Sequence, residues 1–232
     1  MEMIWQGLVK AFELLLNGDR EIIGITLLTL KVSGTATLIS VLIGVPLGAF
    51  LALSVFPGRK ILVSVVNFGM GLPPVVVGLW VSIFLWRYGP LGFLGLMYTP
   101  SAIIVAQAVI ASPIVTGFSI AAIQQLNPKI RLQIMSLGAT WWQTLFLLAR
   151  EARMGLLAAV MAGFGGVVSE VGASMMVGGN IQGQTRVLTT ATVMEVSKGN
   201  FDTAIAISLI LMVLAYGITL FLTIIQQQRR AT

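Results

Sequence analysis

Residues 126–153 read LNPKIRLQIMSLGATWWQTLFLLAREAR, a polar and basic island set between long apolar runs. Lys129, Arg131, Arg150 and Arg153 lie in it, and the runs on either side carry almost no charge. Basic residues close to the ends of apolar spans mark a cytoplasmic segment. The island is too long for a tight turn and too apolar for a floppy linker. Its Ile130, Ile134, Leu137 and Trp141 recur at helical spacing, which predicts one amphipathic helix. A short helix in a cytoplasmic loop implies something for it to dock on.

Outward from the island, the composition requires lipid. The chain is 57% hydrophobic and 9% charged, with a mean hydropathy of +0.97, more apolar surface than a soluble domain of this length can use. The net charge of +6 is spread over short loops and one terminus rather than gathered on one face, which argues against nucleic acid as a partner. There is no cysteine and no histidine, so disulfides, thiol catalysis and His- or Cys-based metal sites are excluded, and no cofactor is expected in this chain. No catalytic residue is identified. The opening MEMIWQ lacks a basic n-region and a cleavage site, so no signal peptide is read there. Residues 1–232 read as a single all-α integral membrane domain.

Residues 3–16 are too short to span. Ile4, Leu8, Phe12 and Leu15 share a helical face, so segment 1–21 is expected to hold a helix lying in the membrane interface, ended by NGDRE at 17–21. Five spans follow. They run from Ile22 to about Phe56, about Ile61 to Trp86, about Ser101 to Ile123, about Met154 to Val177, and about Thr203 to Ile225. Lys31, near the outer end of the first span, can snorkel. Residues 126–153 form the cytoplasmic loop and 178–202 an extracytoplasmic one. Five spans place the N-terminus outside and the C-terminus in the cytoplasm. The inner basic clusters Arg59/Lys60, Lys129/Arg131, Arg150/Arg153 and Arg229/Arg230 agree with that orientation.

Broken membrane helices expose backbone groups that lipid cannot satisfy, so they line protein or a water-filled path. GMGLPP at 69–74 is such a break, and Gly71, Pro73 and Pro74 are its expected hinge. Glu170, in FGGVVSEVGAS, is the one acid deep in a span, and an intramembrane ionisable residue is a functional candidate by default. A carboxylate repels an anionic substrate, and no second intramembrane acid or histidine exists to relay a proton. Glu170 is therefore assigned a structural or gating role, with Ser169, Gly172 and Ser174 beside it on the pathway. In the 178–202 loop, Gly179, Asn180, Gly183 and Thr185 offer amides and hydroxyls to an oxyanion, and Arg186 adds a positive field. The alternative for these residues is a glycine-punctuated surface loop. The chain contains no GxxxxGK[ST], so any ATP that drives transport is hydrolysed by another subunit.

The island resembles the cytoplasmic loop of ABC importer transmembrane subunits, whose motif is EAA, three residues, Gly, nine residues, then I-x-L-P. Gly138 stands at the glycine, Leu132, Gln133 and Ile134 at EAA, and Leu148 to Glu151 at I-x-L-P. TLKVSGTATLISVLIGVPLGAFLAL, GLPPVVVGL and SEVGASMMVGGNIQGQTRVLTTATVMEVSKGNFDTAIAI look like permeases for tetrahedral oxyanions. Molybdate and sulfate permeases carry GEFGA and GNIPG-x-T here, and SEVGA with GGNIQGQTRVLTT is closer to the tungstate-specific branch. The resemblance covers nearly the whole chain. It implies a type I ABC importer permease fold and a homodimer in the plasma (inner) membrane. It further implies two cytoplasmic ATPase subunits and an extracytoplasmic oxyanion-binding protein. In that family the island's helix couples to the ATPase, which assigns Ile130, Ile134, Gly138 and Trp141 to coupling. Tungstate is the substrate the resemblance favours, with molybdate or sulfate as alternatives. A proton-coupled secondary transporter without an ATPase is the competing class, and it leaves the basic island unexplained.

Overall fold

The computed structural model describes residues 5, 7, 9–11, 13 and 19–228. From residue 19 the chain is helical in ten α-helices. The first, α1 (Arg20–Leu53), is N-capped by Asp19, whose carboxylate accepts from the N–H groups of Glu21 and Ile22. Its 34 residues rise about 51 Å, so it must tilt or protrude from a hydrocarbon core of about 30 Å. Then come α2 (Arg59–Met70), α3 (Pro74–Leu85), a 3-10 turn at Gly92–Leu94 and α4 (Pro100–Gln124). The island supplies α5 (Pro128–Ser136) and α6 (Trp141–Glu151). The rest is α7 (Arg153–Val168), α8 (Gly172–Gly178), α9 (Leu188–Ser197) and α10 (Phe201–Gln228).

Among the described residues, α1, α4 and α10 are each long and apolar enough to cross a membrane. Two further pairs reach that length only together. The pair α2 and α3 is bent by 103°, and the pair α7 and α8 by 60°. With each pair as one broken span, the count is five.

Small residues set the centre of the bundle. A Cβ on Gly44 of α1 would lie 2.9 Å from Val115 of α4, and one on Gly48 would lie 2.6 Å from Ser119. Glycines one turn apart let the two backbones approach, which is how membrane helices gain packing without a hydrophobic driving force between them. Ser40 donates to the Ala108 carbonyl at 3.2 Å across the same seam. The α7 helix joins through Gly163, facing Val115, and Gly155, facing Ala122. Between α10 and α9, Ile207 and Ile210 pack on Leu188 and Ala191. Much of α10 is otherwise exposed, including Met212, Val213, Tyr216 and Phe221.

Three expectations are corrected. The island is two helices rather than one, so Trp141 does not share a helix with Ile130 and Ile134. The fourth span is not continuous from Met154 to Val177, because it breaks at Ser169–Val171. The 178–202 loop is not irregular throughout, since ten of its residues form α9. The predicted interfacial face, Ile4, Leu8, Phe12 and Leu15, lies outside the described residues. The described part of that segment is helical, with Gly7 buried against Ile205 and Lys10 hydrogen-bonded to Asp202.

Candidate functional site

The functional candidates fall in two places, at opposite ends of α7. At its N-terminal end is the basic island. Asn127 caps α5 by accepting the Lys129 N–H at 3.0 Å, and Pro128 fills the first helical position. The helix closes with Gly138 at φ +79°. Gly138 N–H donates to the Met135 carbonyl at 3.0 Å, and Ala139 N–H reaches back to Ile134 at 3.4 Å. These two bonds make a Schellman stop, for which a left-handed residue is required. Thr140 starts α6 at once. Its hydroxyl accepts the Gln143 N–H, and the Gln143 side chain accepts the Thr140 N–H at 2.8 Å.

None of the α5 side chains is buried. Ile130 and Ile134 are half-buried and share a hollow with Leu147 and Arg150 of α6. The apolar surface left open on α5 is Leu132, Met135 and Leu137, the last 88% exposed. Leu132 and Leu137 border a shallow hollow of about 630 Å³ with Lys129, Gln133 and Ser136. Trp141, itself exposed, packs on Phe50, edge to face at a 6.0 Å centroid separation. Of the four coupling candidates, Gly138 shapes the stop, the two isoleucines face α6 across a shared hollow, and Trp141 ties α6 to α1.

At the other end of α7 lies the break. Glu170 sits in it, 5% exposed. Its Oε1 accepts the Ala173 N–H at 2.8 Å, starting α8, and its Oε2 is buried without a partner. Its backbone carbonyl accepts from the Thr189 hydroxyl at 2.9 Å, so α9 is pinned to the break. Gln107, in the first third of α4 and 2% exposed, donates to the Val167 carbonyl at 3.1 Å and to the Ser174 hydroxyl at 3.4 Å. The Val167 carbonyl at the end of α7 accepts the Glu170 N–H at 3.2 Å, and Gln107 gives it a second donor from another helix. Sequence reasoning missed it. The available signal was an amide alone in the apolar run SAIIVAQAVIAS.

The two breaks interlock. A Cβ on Gly78 of α3 would lie 2.5 Å from the Ala173 Cα, and one on Gly172 would lie 2.6 Å from Val75. Thus the half-helix after the Gly71, Pro73 and Pro74 bend packs on the half-helix after Glu170. Gly69 and Met70 in turn meet Pro113 and Gly117 of α4.

Beyond α8 the chain turns through Gly179 (φ +71°), Asn180 (φ +51°) and Gly183 (φ +74°). Thr185 is buried and holds this turn, donating to the Gly178 carbonyl at 2.6 Å and accepting the Ile181 N–H at 2.9 Å. Asn180 Oδ1 is buried without a partner. Arg186 donates to Glu21 on α1 at 3.0 Å. The Leu188 N–H donates to Thr29 of α1 at 3.0 Å. The structure therefore brings Glu170, Gly172 and Ser174 together with Gln107. Gly179, Asn180, Gly183, Thr185 and Arg186 form a second group one helix away. Ser169 is exposed and donates to the Gly165 carbonyl, apart from both.

Residues 44–231 match the family described as binding-protein-dependent transport system inner membrane component. The chain is 39% identical over 228 residues to the tungstate uptake system permease protein TupB of Peptoclostridium acidaminophilum, covering 98% of this chain and 100% of that one. It is 39% identical over 202 residues to a probable anion ABC transporter permease protein of Haloferax volcanii, covering 85% and 87%. Among solved structures, an inward-facing methionine ABC transporter superposes with a TM-score of 0.72 at 22% identity, covering 87% of this chain and 92% of that one.

Proposed function

Because the chain belongs to the binding-protein-dependent transport system inner membrane components, the permeases of ABC importers, we propose that it carries tungstate inward as one half of a homodimeric translocation path. The family makes it a multi-pass membrane subunit with the type I importer fold, non-catalytic in itself, that works with an ATPase and a binding protein. The proposal adds a second copy of this chain, two ATPase subunits, and an oxyanion-binding protein docked at the Gln184 end. The N-terminus lies outside and the C-terminus in the cytoplasm.

One observation carries the substrate. The likeness to a tungstate uptake permease runs over 98% of this chain at 39% identity, and it includes the turn that follows the break. The chemistry is compatible. A tetrahedral dianion presents oxygens to neutral donors, and a path must hold it weakly enough to let it leave. The turn from Gly179 to Gly183 is largely exposed, with the Gly179 and Ile181 N–H groups already bonded, whereas Arg186 has its charge offset by Glu21. Glu170 has an oxygen committed to starting α8, which suits a post that fixes the break rather than a ligand for an anion.

Coupling follows from the same geometry. The α5 helix is short, rigidly stopped at Gly138, and open along Leu132, Met135 and Leu137. An ATPase that moves α5 also moves α6, joined to it by the stiff Gly138–Thr140 turn, and hence α7 and its break. The test is ATP hydrolysis by the reconstituted complex, with its binding protein loaded in turn with tungstate, molybdate and sulfate. Tungstate is expected to give the largest stimulation per bound anion. Equal stimulation by sulfate would remove the substrate assignment and leave the importer reading intact.

A further inference from the structure

A groove of about 580 Å³ runs between the first three turns of α1 and the 182–186 turn. Arg20, Gly24, Leu27 and Lys31 line it from α1, and Gln184 and Arg186 line it from the turn. Spacings of four, seven and eleven residues put these four α1 positions, three side chains and a glycine, on one face. We propose that this groove binds an anionic phospholipid, with its phosphate at the cationic rim and an acyl chain along the apolar flank of α1.

Charge is the first argument. Three cations border the groove against one carboxylate, Glu21. Arg20 and Lys31 are exposed and pair with no carboxylate among the described residues. Arg186 holds Glu21 through Nη1, yet its Nε is buried without an acceptor. Arg20 and Lys31 stand about 16 Å apart along the axis, at the two ends of the groove, and both Cα–Cβ bonds tilt toward the helix N-terminus.

Shape and polarity make the second argument. The wall is apolar, and Leu27 is 61% exposed on it. Nothing lies within 4 Å of a Cβ placed on Gly24, so the middle of the groove is open. A free tetrahedral anion would leave that apolar wall uncovered. A second copy seated here about a two-fold axis would bring Arg20 and Lys31 against their own images. A lipid answers both halves, because acidic headgroups bind clustered Lys and Arg at the membrane surface. The inference needs only that the chain is embedded in a membrane, and is independent of the tungstate assignment.

The full chain in neutral detergent, offered phosphatidylglycerol or phosphatidylcholine of matched acyl chains, is read by native mass spectrometry. Phosphatidylglycerol adducts are expected to survive about 25-fold better, since Arg20 and Lys31 each add roughly fivefold near an anionic headgroup. Arg20→Gln with Lys31→Gln should bring them to the phosphatidylcholine level. Gly24→Trp should do the same by filling the groove with every charge in place, which separates cavity from charge. Thermal midpoints matched to wild type show that the variants are folded, and either variant alone suffices if the other is not. Equal retention of the two lipids, or retention unmoved in a folded variant, overturns the proposal. Displacement of the lipid by tungstate or inorganic phosphate reassigns the groove to a free oxyanion. A disulfide between two Gly24→Cys chains, in a protein with no native cysteine, reassigns it to a second copy.

Discussion

At Gly138 the chain ends one helix and begins the next with hydrogen bonds that reach no further than five residues. At Glu170 local bonds, from the Glu170 N–H to Val167 and from the Ala173 N–H to the Glu170 carboxylate, are joined by remote ones, from Gln107 60 residues away and Thr189 19 residues away. The first stop holds its shape without its neighbours and leaves apolar side chains open for a partner. The second has local bonds too, but is also tied from outside by α4 and α9. A coupling element should be stiff in itself so that force passes through it. A gate should be soft in itself and set by its surroundings, so that a rearrangement of those surroundings resets it.

The largest effect is expected from labelling, which asks whether these two regions face opposite sides of the membrane. The chain has no cysteine, and Ser136 and Gln184 are both exposed. In intact cells, Ser136→Cys should resist an impermeant thiol reagent added outside, and Gln184→Cys should react fully. The reverse pattern would refute the orientation and the docking role of α5 together.

Next in size is the local stop. A Cβ on Gly138 would meet nothing within 4 Å, so substitution there acts through the backbone rather than through a clash. The left-handed region costs an ordinary residue about 1–2 kcal/mol, and a β-branched one more. Gly138→Val should abolish uptake while the protein still inserts. Gly138→Asn, which tolerates that conformation, should keep much of it. Loss in both variants would point to a packing role against a partner instead of the Schellman stop.

This contrast also explains what could be read from residues alone. Asn127, Pro128, Gly138 and Thr140 are stop and start signals in plain view, and the basic residues around them fix the setting. A helical spacing that runs through Gly138 nonetheless makes one helix of two, because side-chain periodicity does not register a left-handed residue. The GMGLPP bend was legible because proline and glycine write it locally. The break at Ser169–Val171 carries no proline. Besides its local bonds it is tied to Gln107 and Thr189, which are remote in sequence. The α9 helix is rich in β-branched threonine and valine, poor helix formers, and it is held by Thr29 and by packing on α10. Exposure of Leu132, Met135 and Leu137 in place of Ile130 and Ile134 depends on where α6 folds back.

The tertiary stop is tested at Glu170. Glu170→Gln keeps an oxygen for the Ala173 N–H and should keep most transport. Glu170→Leu leaves that donor unpaired in an apolar setting, a loss of about 1–3 kcal/mol, and should cut transport tenfold or more. Thr189→Val, which frees one carbonyl, should fall between them. Equal failure of Gln and Leu, with a pH-dependent wild type, would make the carboxylate's proton part of the cycle and end the reading of the break as a fixed post.

The smallest effect probes a third stop, at the end of α9, where local and tertiary features meet. Gly199 at φ +81° closes it, with Asn200 N–H on the Glu195 carbonyl and Gly199 N–H on Val196. Both Glu195 carboxylate oxygens are also taken, by Lys198 and by the Asn200 side chain at 2.8 Å each. Those hydrogen bonds, Lys198 first and then Asn200, hold the Glu195 carboxyl below its ordinary range. A group whose pKa is lower folded than unfolded stabilises the fold above its unfolded value. That contribution fades as pH falls through the folded value. Acid should therefore loosen this stop only below the usual carboxylate range of about 4. The pair is partly exposed, so the contribution is a few tenths of a kcal/mol. Thermal midpoints in detergent should fall slightly less between pH 6 and pH 3.5 for Glu195→Gln than for wild type. If the two fall in parallel, the ion pair adds nothing and the Schellman bonds alone end α9, as at Gly138.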